Sequence, residues 1–280
     1  MSGNFIQSET LRRIGMAGYR TLARAQFWRS GPRILVNSIP KAGTHLLTSE
    51  LSRIDGLQNS RMHLLNSDIV SDRRDSSANP AMDIAAIERQ IAKVRGGQYF
   101  SAHLPWSSAF EEMLAKHDIA TVFVLRDPRD VLASRYHYIM GLKRHRLHPF
   151  LADPARTELE RYRLLIDGHH GDPYLRPMNE MLLQFAPWTD SERTLTVTFE
   201  ALVGARGGGD DAVKNAALLQ IARYCGIDEQ NIPQDIAGPP AKTATLRKGK
   251  SGTWREELPA EIQALVEDRC GTILRRLGYA

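Results

Sequence analysis

Residues 34–45 read Ile34-Leu35-Val36-Asn37-Ser38-Ile39-Pro40-Lys41-Ala42-Gly43-Thr44-His45, or ILVNSIPKAGTH. A β-branched apolar run stops at a proline, and a lysine, a glycine and a threonine follow in tight order. That pattern describes a strand feeding a helix through a turn. The first amides of a helix lack intrahelical partners and lie at its positive dipole end, so such a turn can hold an anion. The amides of Ala42, Gly43 and Thr44 are expected to point together, with Lys41 adding a charge and Thr44 a hydroxyl. The same residues would also serve a plain strand-to-helix turn with a surface lysine. The turn is not a triphosphate loop, which requires G-x-x-x-x-G-K-[ST].

Strand-like and helix-like segments alternate outward from this turn, which predicts an α/β fold with a mostly parallel sheet. Strands are predicted at Arg33–Ile39, Gln98–Ala102, Thr121–Leu125 and Thr194–Phe199. Helices are predicted at Thr44–Ile54, Pro80–Val94, Pro128–Leu142, Asp210–Cys225 and Pro259–Leu277. Residues 143–187 differ, with four histidines, five prolines and helical pieces around Leu159–Ile166, and are expected to be an irregular insertion that shapes an acceptor pocket, with Tyr136, Tyr138 and Trp188 nearby. The run Gly204–Gly209 reads as a loose connector.

The chain has 280 residues, 42% hydrophobic and 25% charged, enough for a sizeable core. Residues 33–280 are expected to form a single domain behind a basic leader, 1–32. Six arginines against Glu9 give residues 1–33 the whole net charge of +5, so the remaining chain is neutral. A role in nucleic-acid binding is therefore not expected. The leader's apolar residues at helical spacing can lie on an anionic membrane surface or dock on the domain as an ordinary solvated helix. Two cysteines without ligand spacing, no apolar run near 20 residues and no secretory apolar core predict a cytoplasmic protein, with a peripheral contact at the inner membrane face as the leader's further option. The oligomeric state is not legible.

Two further stretches carry chemistry. In VFVLRDPRDVLAS, residues 122–134, a strand ends at Arg126, Asp127 is suited to cap a helix and Pro128 to begin it. An arginine at the strand end and Ser134 two turns into the helix can clasp one phosphate, although Arg126 paired with an acid reads as well. In LRKGKSGTW, residues 246–254, Arg247, Lys248 and Lys250 with two glycines can fold over a polyanion or form a solvated basic loop. Gly249-Lys250-Ser251 imitates the end of a triphosphate loop, but the position five before is Ala244.

Taken in order, the three stretches resemble the sulfotransferases that use 3′-phosphoadenosine 5′-phosphosulfate. PKAGTHL resembles that family's PKSGTTW, VLRDPRDVLASRYHYI its R-[ND]-P-[KR]-D-V-x-x-S-x-Y-H-F, and RKGKSGTW its RKG-x-x-GDW. The resemblance spans 33–280 and implies a three-layer P-loop NTPase-like fold. It implies that Lys41, Ala42, Gly43, Thr44 and His45 hold the 5′-phosphosulfate. Arg126 and Ser134, with Arg247, Lys248 and Gly249, would hold the 3′-phosphate, and Phe199 would lie near the adenine. His103, in SAHLP, resembles the family's catalytic base, and a pKa near neutral is expected of it. Lys41 would stabilise the leaving oxygen. A single charge on the sulfuryl group makes a metal unnecessary, and none is expected.

The chain departs from the family at His45, Leu46, Phe199 and Thr253, where the family has threonine, tryptophan, tyrosine and aspartate. The expected acceptor is a glycan, a glycolipid or lipid-linked molecule, or a small metabolite with a hydroxyl or amine. The competing readings are a nucleoside or sugar kinase, which needs a full triphosphate loop and magnesium-binding acids, and a non-catalytic nucleotide-binding module.

Overall fold

The computed structural model describes residues 30–65, 79–233 and 249–279, with residues 69, 72, 74, 75 and 77. Most of the basic leader therefore lies outside the described residues. Five strands form one sheet: β1 (Arg33–Ser38), β2 (Gln58–Leu65), β3 (Gln98–His103), β4 (Ile119–Leu125) and β5 (Thr194–Thr198). Their order is β2-β3-β1-β4-β5 and every pairing is parallel, with Val36 opposite Ser101 on one side and Val122 on the other.

A parallel sheet needs cover on both faces, and the alternation of side chains along each strand supplies two apolar surfaces. Ile34, Val36, Tyr99, Val122 and Val124 meet α1 (Thr44–Leu51) and the helix Asp211–Cys225. On the opposite face Leu35, Phe100, Ala102 and Phe123 meet a larger group, including α2 (Ile84–Ile91), α3 (Ser108–Lys116) and α4 (Pro128–Gly141). The remaining long helices are α5 (Glu158–Asp167), α6 (Met178–Phe185), α7 (Asp211–Cys225) and α8 (Ala260–Arg276). Cys225 and Cys270 are buried and free, and burial pushes both thiols up to about 12. No described helix is long and apolar enough to cross a membrane.

The predicted strands and helices are present, shifted at their ends by a few residues. Three of the longer elements were not expected, one of them α6 within the insertion. Strand β2 is an edge strand whose sequence, QNSRMHLL, lacks a clean alternation; its register breaks between Asn59 and His63, and Arg61 has φ 60°. Helix α3 has a legible cap, Ser107, whose side chain accepts the Phe110 amide, and it packs Phe110 and Met113 inward. The Gly204–Gly209 run is not a loose connector. It makes a short 3₁₀ turn whose Gly207 carbonyl accepts the Ser251 amide at 3.2 Å. Within 143–187, a Thr157–Glu160 capping box opens α5. Trp188 and Tyr136 belong to the core: Trp188 donates to the Leu104 carbonyl at 3.1 Å and Tyr136 stacks on Tyr162.

Gly43 is the residue on which the first turn depends. Its φ is +116°, and a Cβ there would stand 2.7 Å from Cδ2 of buried Phe199. Gly43→Ala therefore combines backbone strain with overpacking and is expected to destabilise the protein by about 2–4 kcal/mol. A denaturant midpoint equal to the wild type would contradict this packing.

Candidate functional site

Parallel strands direct their carboxyl ends to one edge. Chain leaves β1 toward β2 on one side and leaves β4 toward β5 on the other, so a crevice opens beyond their ends. There lies a cavity of about 680 Å³. Lys41, Gly43, Thr44 and His45 line it from the turn, Arg126 and Ser134 from β4 and α4, and His103, Phe199 and Gly249 from three other segments. Nine of the predicted site residues thus share one space. Ala42 does not: it is fully buried, and its amide donates to the Ile39 carbonyl at 3.0 Å. Arg247 and Lys248 lie outside the described residues.

The turn offers the amides of Gly43, Thr44 and His45, the cap and first two positions of α1. Among the described residues no carbonyl takes them. The Thr44 hydroxyl is engaged with the Ser38 hydroxyl at 2.5 Å, and Ser38 donates on to the Ile39 carbonyl. Lys41 has φ 76° and holds its ammonium 4.1 Å from the Tyr138 ring centroid. Burial, reinforced by Arg126, brings the Lys41 pKa down to about 8.

Arg126 ties the motifs together. It donates to the carbonyls of Lys41 (3.3 Å) and Lys250 (2.9 Å), and its guanidinium stacks 4.0 Å over the Phe199 ring. Asp130 lies 3.7 Å away, yet Arg126 Nε is buried and has no partner among the described residues. Burial lowers its pKa, while Asp130, Glu200, Asp127 and Glu257 oppose that shift. Asp127 caps α4 as expected, accepting the Arg129 amide behind Pro128.

His103 donates from Nδ1 to the Ser38 carbonyl at 2.8 Å. A carbonyl can only accept, so the proton sits on Nδ1 and Nε2 is the basic nitrogen. The strand end that carries it is held by Asn37, whose amide group both donates to the Leu104 carbonyl (2.8 Å) and accepts the Leu104 amide (3.0 Å). The pKa departs from expectation: it is pushed down to about 3, chiefly by burial, then by the positive charge of His63, His45 and Lys41. His63 meets His103 edge-on, with ring centroids 4.8 Å apart. His45 is lowered too, by burial and by Lys41.

Sequence reasoning missed the residues that hold the motifs in place. Asp130, 1% exposed, accepts the amides of Gly252 (2.7 Å) and Trp254 (2.9 Å) and the Thr253 hydroxyl (3.3 Å). This carboxylate anchors the third stretch to α4 although Thr253 replaces the family's aspartate. Ser38, Asn37 and His63 were not singled out as site residues either, whereas Tyr138, expected near the acceptor pocket, lines the cavity. Ser38 and Asn37 precede the turn and looked like strand, and β2, which carries His63, was unrecognised.

A family model described as the sulfotransferase domain matches residues 31–203. The chain belongs to the sulfotransferase family. No curated protein matches it in sequence. Among solved structures, mouse sulfotransferase SULT7A1 complexed with PAP has a TM-score of 0.55 at 15% identity, covering 95% of this chain and 96% of that one. Retinol dehydratase in a complex with retinol and PAP has a TM-score of 0.51 at 15% identity, covering 93% and 86%. These likenesses are of fold.

If Asp130 anchors the loop, Asp130→Ala leaves two amides unpaired beside a cation. A loss of about 3–5 kcal/mol is expected. Hydrogen exchange at the Gly252 and Trp254 amides should accelerate more than in β1; equal acceleration throughout would reduce Asp130 to a general core residue.

Proposed function

We propose that this sulfotransferase takes its sulfuryl group from 3′-phosphoadenosine 5′-phosphosulfate and transfers it to a hydroxyl or amine of a small-molecule acceptor. Glycans, glycolipids and lipid-linked molecules are the finer options, the last favoured by the arginine-rich segment before residue 33. The observation that carries the reading is the meeting, in one cavity, of unpaired turn amides, Lys41, Arg126 and an imidazole with its proton on the far nitrogen. The solved relatives in complex with PAP support the donor, and the retinol held by one of them supports a small-molecule acceptor.

The residues present fit such a donor. The buried Arg126 Nε and the amides of Gly43, Thr44 and His45, all without a partner among the described residues, fit an anion against the turn. When bound, the donor supplies an activated sulfuryl group on a phosphate leaving group. The turn amides and Lys41 would receive the 5′-phosphosulfate, and Arg126 with Ser134 the 3′-phosphate. His103 Nε2 would take the acceptor's proton as its oxygen or nitrogen attacks sulfur. Lys41 would meet the charge that grows on the departing oxygen, and preorganised donors at such a point contribute about 3–4 kcal/mol each. Negative charge entering the cavity opposes the part of the His103 shift that comes from cations, while the larger part, from burial, remains.

A thermal-shift titration with 3′,5′-adenosine bisphosphate (PAP), against 5′-ADP and Mg-ATP, tests the donor. Stabilisation by the bisphosphate alone is expected, whereas preference for Mg-ATP would favour a kinase. His103→Ala should lower turnover by about 10²–10⁴-fold and leave bisphosphate affinity nearly intact. Arg126→Ala should weaken that affinity first. Equal loss of both properties in both variants would overturn the roles.

A pH series tests Lys41. Below its pKa of about 8 the ammonium is already charged, so affinity for the bisphosphate is flat with respect to this group; above it binding must take up a proton, and affinity falls toward about tenfold per pH unit. The same lowered pKa makes the unfolded chain bind more protons between about 8 and 10.4, so this group stabilises the ligand-free fold as pH rises there. In Lys41→Arg the loss of affinity above pH 8 should disappear; its persistence would acquit Lys41.

A further inference from the structure

The other wall of the cavity bears on what the acceptor carries, an inference that rests on the sulfotransferase reading. From residue 131 to 152 the sequence holds Arg135, Lys143, Arg144 and Arg146, three histidines and no acid. Among the described residues, His137 has a carboxylate partner, Glu257 at 3.1 Å, and the other six cations and histidines have none. Elsewhere on the molecule arginines are commonly matched, as Arg223 is with Glu229 and Arg269 with Asp167.

The cluster reaches the cavity through His145. Its ring meets Tyr138 edge-on at 5.5 Å between centroids, and Tyr138 in turn carries the Lys41 ammonium. His145 Nδ1 accepts the Leu147 amide at 3.2 Å, which leaves Nε2–H as a donor. Arg135, half-buried on α4 directly after Ser134, has Arg146 as its like-charged neighbour. Arg135, Arg146 and His148 all act on the His145 ring with positive charge, and among the described residues no carboxylate opposes them there. Like charges gathered in a partly desolvated place repel one another, and an anion relieves that repulsion.

We infer that Arg135, His145 and Arg146 form an acceptor subsite that seats an anionic group, a phosphate, sulfate or carboxylate, and so turns the acceptor's nucleophile toward His103. A basic rim can also steer the anionic donor into the cavity. The two roles separate once the donor grips are filled.

The experiment uses the full chain saturated with PAP, titrated by calorimetry with 4-hydroxyphenyl phosphate and with hydroquinone, the same ring without the charge. The phosphate should bind at least about tenfold more tightly, the effect of one charge-assisted hydrogen bond. Arg146→Gln, at an exposed position, should remove most of that difference while PAP affinity stays within about twofold. Arg135→Gln should act likewise, and its PAP-induced thermal shift reports whether it has folded. Equal binding of the two probes would overturn the subsite. So would a parallel loss of PAP affinity in Arg146→Gln, which assigns the cations to donor steering. Failure of PAP to bind at all would instead sink the donor reading, before any second probe is added. A further pair of arms compares glycerol phosphate with phosphatidylglycerol vesicles on the same loaded protein. An Arg146-dependent response to vesicles alone places the anion on a lipid headgroup; a response to glycerol phosphate places it on a soluble acceptor.

Discussion

Parallel pairing of β1 with β3 on one side and β4 on the other is the constraint on which the site depends. Because parallel strands share a direction, the turn after Ser38, the imidazole of His103 and the guanidinium of Arg126 all emerge at one edge. The reciprocal Asn37–Leu104 clasp then holds the ends of β1 and β3 together, so His103 meets the Ser38 carbonyl without freedom to drift. Two apolar faces, buried under separate helical layers, keep this edge rigid.

On that edge the fold gathers more positive charge than it cancels. Asp130 stands near Arg126 but spends its hydrogen bonds on the loop amides of Gly252 and Trp254. Lys41 rests on an aromatic ring rather than a carboxylate. Burial first, and this gathered charge second, draw the lysine pKa to about 8 and the histidine to about 3. An anion arriving at the turn would oppose only the part of each shift that comes from neighbouring positive charge.

Much of this was legible in the residues themselves. The β-branched run into Pro40, the Asp127–Pro128 helix start and the basic glycine loop each carry local chemistry that reads without neighbours. The Ala42 amide, expected to face an anion, is spent instead on the Ile39 carbonyl, because the turn closes on itself there with Lys41 at positive φ. Strand β2 escaped notice because an edge strand needs no strict alternation. Its His63 reaches the site only through pairing with β3, where it bonds Ser101 at 2.9 Å. The role of Asp130 was hidden for a similar reason, since its partners lie more than 120 residues away in the chain.

The sequence by itself determined the local elements and the order of the three stretches in which an anion site was expected, because strand propensity, capping and glycine turns are short-range properties. Only the tertiary structure decided which of those groups face one another, which tautomer His103 holds, how far its pKa falls and which cations go without a counter-charge. Those properties depend on burial and on distances between residues far apart in the chain, and electrostatic interactions of that kind exist only once the sheet has brought the groups together.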